Sequence, residues 1–168
     1  MSDVVFGVTV AGRPAELEGA GSVIGPCTNT LPLRVQAGRG PAIEWLRGLQ
    51  ATQKRMERYA YTPLAQIQRW SGIRPPSRLF ESLLVFQNWL PIEELCSRET
   101  GLRVWRCWEE EETPEPLTLA VEFGRSYSFR LIYDRSRFNA VDAAGLLDQL
   151  HALLTGIIDS PARPLAAP

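Results

Sequence analysis

From Val4 to Val10 the chain reads Val-Val-Phe-Gly-Val-Thr-Val, a dense run of β-branched and aromatic residues. It reads as a buried strand. The run begins almost at the first residue, with no element to lead into it. A central strand in that position points to polypeptide that precedes it, or to a strand partner on another chain. Ala11-Gly12-Arg13-Pro14 then punctuates it.

The rest of the chain can supply a core around such a strand. It has 168 residues, 45% of them apolar, which suits one domain or one lobe of a larger one. Eighteen basic residues against 19 acidic leave no excess charge to attract a polyanion, so nucleic acid is not an expected partner. No stretch approaches 18 uninterrupted apolar residues, so no membrane span is expected. Met1-Ser2-Asp3 lacks the basic start and apolar run of a signal peptide, so the expected compartment is the cytoplasm. Cys27, Cys96 and Cys107 have no Cys-x-x-Cys spacing and read as free, buried thiols.

Alternation and helical periodicity place the other elements. Small residues over 15–30 suggest a loop, and Leu31, Leu33 and Val35 alternate as a short strand. Pro41 suits the first position of a helix that carries Ala42, Trp45, Leu46, Leu49 and Met56 on one face and runs to about Tyr59. Leu64–Trp70 reads as a second short helix. Leu83–Phe86 is apolar on both faces, as a covered strand is. Pro91–Leu95 suggests a turn of helix and Arg103–Trp108 a strand. Glu109–Glu112 reads as a solvated acidic loop. Leu117–Phe123 and Tyr127–Tyr133 alternate on either side of Gly124-Arg125 and predict a hairpin. Asn139 and Asp142 have the spacing of a helix cap, ahead of a stripe of Leu146, Leu147, Leu150, Leu153, Leu154 and Ile157. Ser160-Pro161-Ala162-Arg163-Pro164 resembles an interdomain linker. The expected fold is α/β, a mixed sheet with helices packed on it over 1–159, followed by a linker-like tail over 160–168.

Chemistry is harder to find. There is no phosphate-cradling glycine loop and no Gly-x-Ser-x-Gly elbow. His151 is the only histidine, which excludes a two-histidine metal site, and it reads as a helix-surface or core-edge residue. Trp45, Trp70, Trp89, Trp105 and Trp108 are scattered and suit core or interface anchors. Composition and spacing assign no catalytic residue and no metal ligand.

Five segments together carry more. They are Asp3–Pro14, Val23–Val35 (VIGPCTNTLPLRV), Tyr61–Gly72 (YTPLAQIQRWSG), Leu79–Asn88 (LFESLLVFQN) and Tyr133–Phe138 (YDRSRF). In this order and spacing they resemble the C-terminal part of condensation domains of nonribosomal peptide synthetases. The resemblance covers nearly the whole chain. It implies part of a chloramphenicol acetyltransferase-like lobe. It also implies a share in forming an amide between a carrier-bound acyl or peptidyl donor and a carrier-bound aminoacyl acceptor. No cofactor would bind directly; the phosphopantetheine arms of peptidyl carrier proteins would enter from opposite faces of a tunnel between two lobes. The family's HHxxxDG motif belongs to the N-terminal lobe and is absent here, so the chain alone is expected to be inactive and to need that lobe as a partner. A face left bare by missing helices would favour self-association or docking.

Several departures fall near the tunnel and lobe junction, among them Thr113-Pro114-Glu115-Pro116-Leu117, which keeps only the Thr, Pro and Leu of the family's TNYPL. Cys27 and Thr28 replace the Phe-Val of the family's IGxFVNT, and Tyr61 replaces a common histidine. The resemblance marks Asn29, Thr30, Ser82, Leu84, Phe86 and Gln87 as candidates for the tunnel or lobe junction. On the strand, either Ser82, Leu84 and Phe86 or Leu83, Val85 and Gln87 would face the tunnel, and the sequence leaves both open. Asn29 and Thr30 could equally hold their own loop's backbone. The alternative function is a non-catalytic module that docks a carrier protein or another synthetase enzyme; a mere truncated piece with no role of its own is a third reading.

Overall fold

The computed structural model describes residues 3–13, 18–38, 40–87, 112–123 and 126–165. Strand β1 spans Asp3–Ala11 and pairs antiparallel along its whole length with β2, Thr28–Gln36. The alternation places the start of this strand at Leu31; it begins at Thr28 because Thr28, Asn29 and Thr30 pair with Ala11, Val10 and Thr9. A 3-10 turn over Ala20–Ser22 lies between β1 and β2. A two-residue strand β3, Gly40–Pro41, leads into helix α1, Ala42–Glu57, so Pro41 stands just before the first helical residue. Helix α2 is Leu64–Trp70 and β4 is Ser82–Gln87. The hairpin forms as β5, Leu117–Phe123, and β6, Tyr127–Tyr133. Helix α3, Ala140–Asp159, and a two-residue β7, Pro164–Leu165, complete the order. The helix expected over 91–95, the strand over 103–108 and Cys96, Cys107, Trp89, Trp105 and Trp108 lie outside the described residues.

Five strands form one mixed sheet in the order β2-β1-β4-β5-β6. β1, β4 and β5 run parallel, and the antiparallel β2 and β6 stand at its ends. The register sets the faces. Val8 lies opposite both Leu31 and Leu84, so these three share a face. Val8, Leu33 and Val35 form the core there, and Trp45, Leu49 and Met56 of α1 pack onto it. The Trp45 indole N–H donates to the Gln36 carbonyl at 2.9 Å, which satisfies the polar end of a packed ring. On the other face Gly7 leaves room for Phe80: a Cβ at Gly7 would stand 2.5 Å from the phenyl ring. That close approach explains a glycine inside a β-branched strand.

Asn139 caps α3 as its spacing predicts. Its side-chain oxygen accepts the Asp142 N–H at 2.9 Å, and its amide donates to the Asp142 carboxylate at 2.7 Å. The helix packs on a narrower line than its leucines suggest. Ala143 is buried and Leu147, Leu150, Leu154 and Ile157 are half-buried, while Leu146 and Leu153 are exposed. His151 is exposed on this helix.

The stretch over 160–168, linker-like in sequence, is fastened to the domain as far as Leu165. Pro164 and Leu165 pair with Pro41 and Gly40. The carbonyls of Arg163 and Pro161 accept the N–H groups of Ala42 and Ile43 at 3.1 and 3.0 Å. The tail thereby occupies donors that the first turn of α1 would otherwise leave unpaired, where no side chain caps it.

Candidate functional site

The parallel strands β1, β4 and β5 all end at one end of the sheet, at Ala11, Gln87 and Phe123. β2 and β6 begin there, at Thr28 and Tyr127. In open α/β sheets this carboxyl end is where ligands sit, because the connecting loops diverge and leave a crevice.

Two side chains organise the loops at this end. Arg13 turns its guanidinium onto the loop between β1 and β2, donating to the carbonyls of Ala20 at 2.8 Å, Val23 at 2.7 Å and Gly25 at 3.3 Å. Three acceptors engage one planar donor fork, which fixes the loop's path. Gly25 has φ of 148°, a conformation that favours glycine. Beside it, the Cys27 carbonyl presses so closely on Gly12 that no side chain fits between them. The second organiser is Asn29. Its amide donates to the carbonyls of Ala60 and Thr62, both at 2.8 Å, and straps β2 to the turn between α1 and α2. Thr30 is half-buried opposite Thr9.

The structure separates the two faces of β4. Leu83 and Gln87 are buried. Ser82 and Leu84 are half-buried, and Phe86 on their face is 51% exposed. Register carries that face across the hairpin: Phe86 lies opposite Val121, Val121 opposite Phe129, and Phe123 opposite Tyr127. Phe86 meets Tyr127 edge-on at 6.4 Å between centroids, and Tyr127 tilts against Phe123 at 4.9 Å. Phe123 and Tyr127 are 50% and 58% exposed, so the three rings form an open aromatic patch. Sequence reasoning singles out Phe86 but neither of its partners, although their alternation in the hairpin places them on one face.

The opposite end of the sheet is charged. A groove of about 530 Å³ there is lined by Arg78, Thr113, Glu115, Tyr133, Asp134 and Arg137 among others. Both of its arginines are engaged: Arg78 donates to the Pro114 carbonyl, and Arg137 pairs with Glu81 at 2.8 Å. The Arg137 hydrogen bond holds the Glu81 carboxyl below its ordinary value. Hydrogen bonds from the Ser136 hydroxyl and backbone N–H lower Asp134 likewise. A lowered carboxyl gives an ion pair that is complete at neutral pH and is lost as pH falls through the lowered range. A carboxyl-carbon NMR titration should place Glu81 below the usual glutamate value, and Arg137→Ala should raise it toward that value. Both partners are largely exposed, so the pair ties the start of β4 to the turn before α3 with little effect on stability. Among the described residues, no three or more His, Cys, Asp or Glu side chains gather as a metal site.

The sheet is open at the carboxyl ends of its parallel strands. The Condensation domain family model matches residues 1–168. A linear gramicidin synthase of Brevibacillus parabrevis is 40% identical over 156 residues, 92% of this chain and 3% of that protein. Chondramide synthase cmdD of Chondromyces crocatus is 35% identical over 162 residues, 96% of this chain and 4% of that protein. Among solved structures, that of holo T3CT superposes with a TM-score of 0.83 at 20% identity, covering 99% of this chain and 39% of the other. The condensation domain of the Monacolin K polyketide synthase MokA superposes with a TM-score of 0.75 at 17% identity, covering 98% and 39%. The chain belongs to the condensation-domain family. It spans a small fraction of the length of the curated relatives it matches.

Proposed function

We propose that this chain is one wall of a condensation domain that joins a carrier-bound acyl or peptidyl donor to a carrier-bound aminoacyl acceptor. The match of the family model along the full chain carries this reading. In the reaction the acceptor amine attacks the thioester carbonyl. A carbon–nitrogen bond forms, the carbon–sulfur bond breaks, and the departing sulfur of the donor's phosphopantetheine arm takes up the proton the amine loses. The arms belong to the carrier proteins and arrive with the substrates. The chain's own residues serve orientation, which supplies much of the acceleration in such a transfer. Arg13 and Asn29 fix the loops at the carboxyl end, and Phe86 stands exposed there.

Orienting or deprotonating the amine falls to a histidine motif, HHxxxDG, that this sequence does not contain, so the partner is an N-terminal condensation lobe on the same or another polypeptide. The purified chain should form no amide from two pantetheine thioesters, while the full-length protein that carries it should. Amide formation by the chain alone overturns the proposal. Carrier binding without amide formation by the full-length protein would instead favour a docking module. Asn29→Asp is the sharper probe, because it sets a carboxylate against two carbonyls that now accept hydrogen bonds. It should lower the condensation rate of the full-length protein about tenfold to a hundredfold, as an unsatisfied charged contact of roughly 1–3 kcal/mol would.

A further inference from the structure

Resting on that reading, we propose that Arg13 is a positioning residue for the condensation step and acts through the backbone of the β1–β2 loop. β1 ends at Ala11 and β2 begins at Thr28, so connectivity puts this loop at the carboxyl end of the sheet. It is far longer than an antiparallel hairpin needs, and loops of that length in compact domains usually serve function. Its described part, over 18–27, is thinly tied by its own backbone. The Ser22 N–H donates to the Gly19 carbonyl at 2.9 Å and the Val23 N–H to the Ala20 carbonyl at 3.4 Å, both within one turn. Arg13 supplies the longer ties. It stands just beyond β1 and gathers the carbonyls of Ala20, Val23 and Gly25 from three points of the loop.

These contacts set a shape more than they add stability. Arg13 is exposed, and so are its bonds to Val23 and Gly25. Water can take over those carbonyls when the guanidinium is removed, so the net cost to the fold is small. Water cannot hold three acceptors against one another, as the rigid planar fork does. A lysine keeps the charge and loses the fork. Without Arg13 the sheet stays paired, but the loop no longer has one path at the end where the reactants meet. Misalignment of that kind slows the transfer itself more than it weakens binding.

The test uses the full-length protein that carries this chain, with Arg13→Ala, Arg13→Lys and, as control, Arg34→Ala. Arg34 is also an exposed arginine, held by Asp3 at 3.0 Å toward the other end of β2. Amide formation is followed with pantetheine thioesters as donor and acceptor. Hydrogen exchange read by mass spectrometry reports on the loop and on the β1–β2 ladder. Both Arg13 variants should lower kcat about tenfold to a hundredfold and leave KM within about twofold of the wild type. Exchange should quicken at Ser22 and Val23 while the ladder keeps its protection. Arg34→Ala should leave kcat unchanged. The proposal is overturned by an unchanged kcat in Arg13→Ala, by full activity in Arg13→Lys, or by a loss carried by KM instead of kcat. It is equally overturned by unchanged exchange in the loop, by a loss of ladder protection that matches the loss of rate, or by an equal loss of rate from Arg34→Ala. In each of those cases the wild type still forms amide, so the condensation reading stands. If the wild-type protein forms no amide, the condensation reading fails and this role for Arg13 fails with it.

Discussion

Leu31→Ala should cost the fold about 3 kcal/mol. Leu31 is 2% exposed, lies opposite Val8 in the β1–β2 ladder and sits beside the residues on which α1 packs. Truncation of a buried leucine loses the transfer energy of its methyl groups and leaves a cavity that a paired sheet cannot close, a cost in the range of roughly 2–5 kcal/mol. Urea unfolding should show a lower midpoint with an unchanged slope. Leu31→Met keeps the volume and should cost less than about 1.5 kcal/mol. Equal losses from the two variants would show that the site is not packed as described.

Gly12→Ala should be at least as damaging, for a different reason. The obstruction is the Cys27 carbonyl, which is backbone and cannot swing aside as the end of a side chain can. The two segments must separate, which breaks the pairing of Ala11 with Thr28 and pulls Arg13 away from the loop it holds. A loss above about 3 kcal/mol is expected, at the upper end for single substitutions. In the full-length protein condensation should fall with it, because the disturbed loop stands at the carboxyl end of the sheet. Gly48→Ala provides the contrast. Gly48 lies within α1 with open space around its missing Cβ, so alanine there should stabilise by roughly 0.5–1 kcal/mol through helix propensity alone. A destabilising Gly48→Ala would contradict the placement of α1.

Elements with a strong local period are legible from the sequence without the fold. The Leu117–Phe123 and Tyr127–Tyr133 hairpin and the Asn139 cap follow from side-chain alternation and from one residue's hydrogen-bonding capacity. The start of β2 is hidden, because Thr28, Asn29 and Thr30 carry no apolar alternation and become a strand only through their partners on β1. The β3–β7 pair is hidden for the same reason: two prolines and a glycine read as turn and linker, and only the distant partner makes them strands. At the site, Asn29 is visible as an amide able to bridge, yet its acceptors at Ala60 and Thr62 lie 31 and 33 residues away. Arg13 is visible only as punctuation after β1. The face of β4 cannot be read at all, since both sets of side chains are apolar enough to be core; exposure of Phe86 and burial of Gln87 distinguish them.

The fastened tail has a mechanical consequence. A tug on polypeptide attached beyond Leu165 would not peel α3 from the sheet. The load would pass first through the Arg163 and Pro161 carbonyls into the start of α1. From there it would travel along a stiff rod seated on Val8, Leu33 and Val35. Strain arriving from outside is thus delivered to β1 and β2, whose far ends hold Arg13 and Asn29, and the sheet acts as a lever between the tail and the crevice.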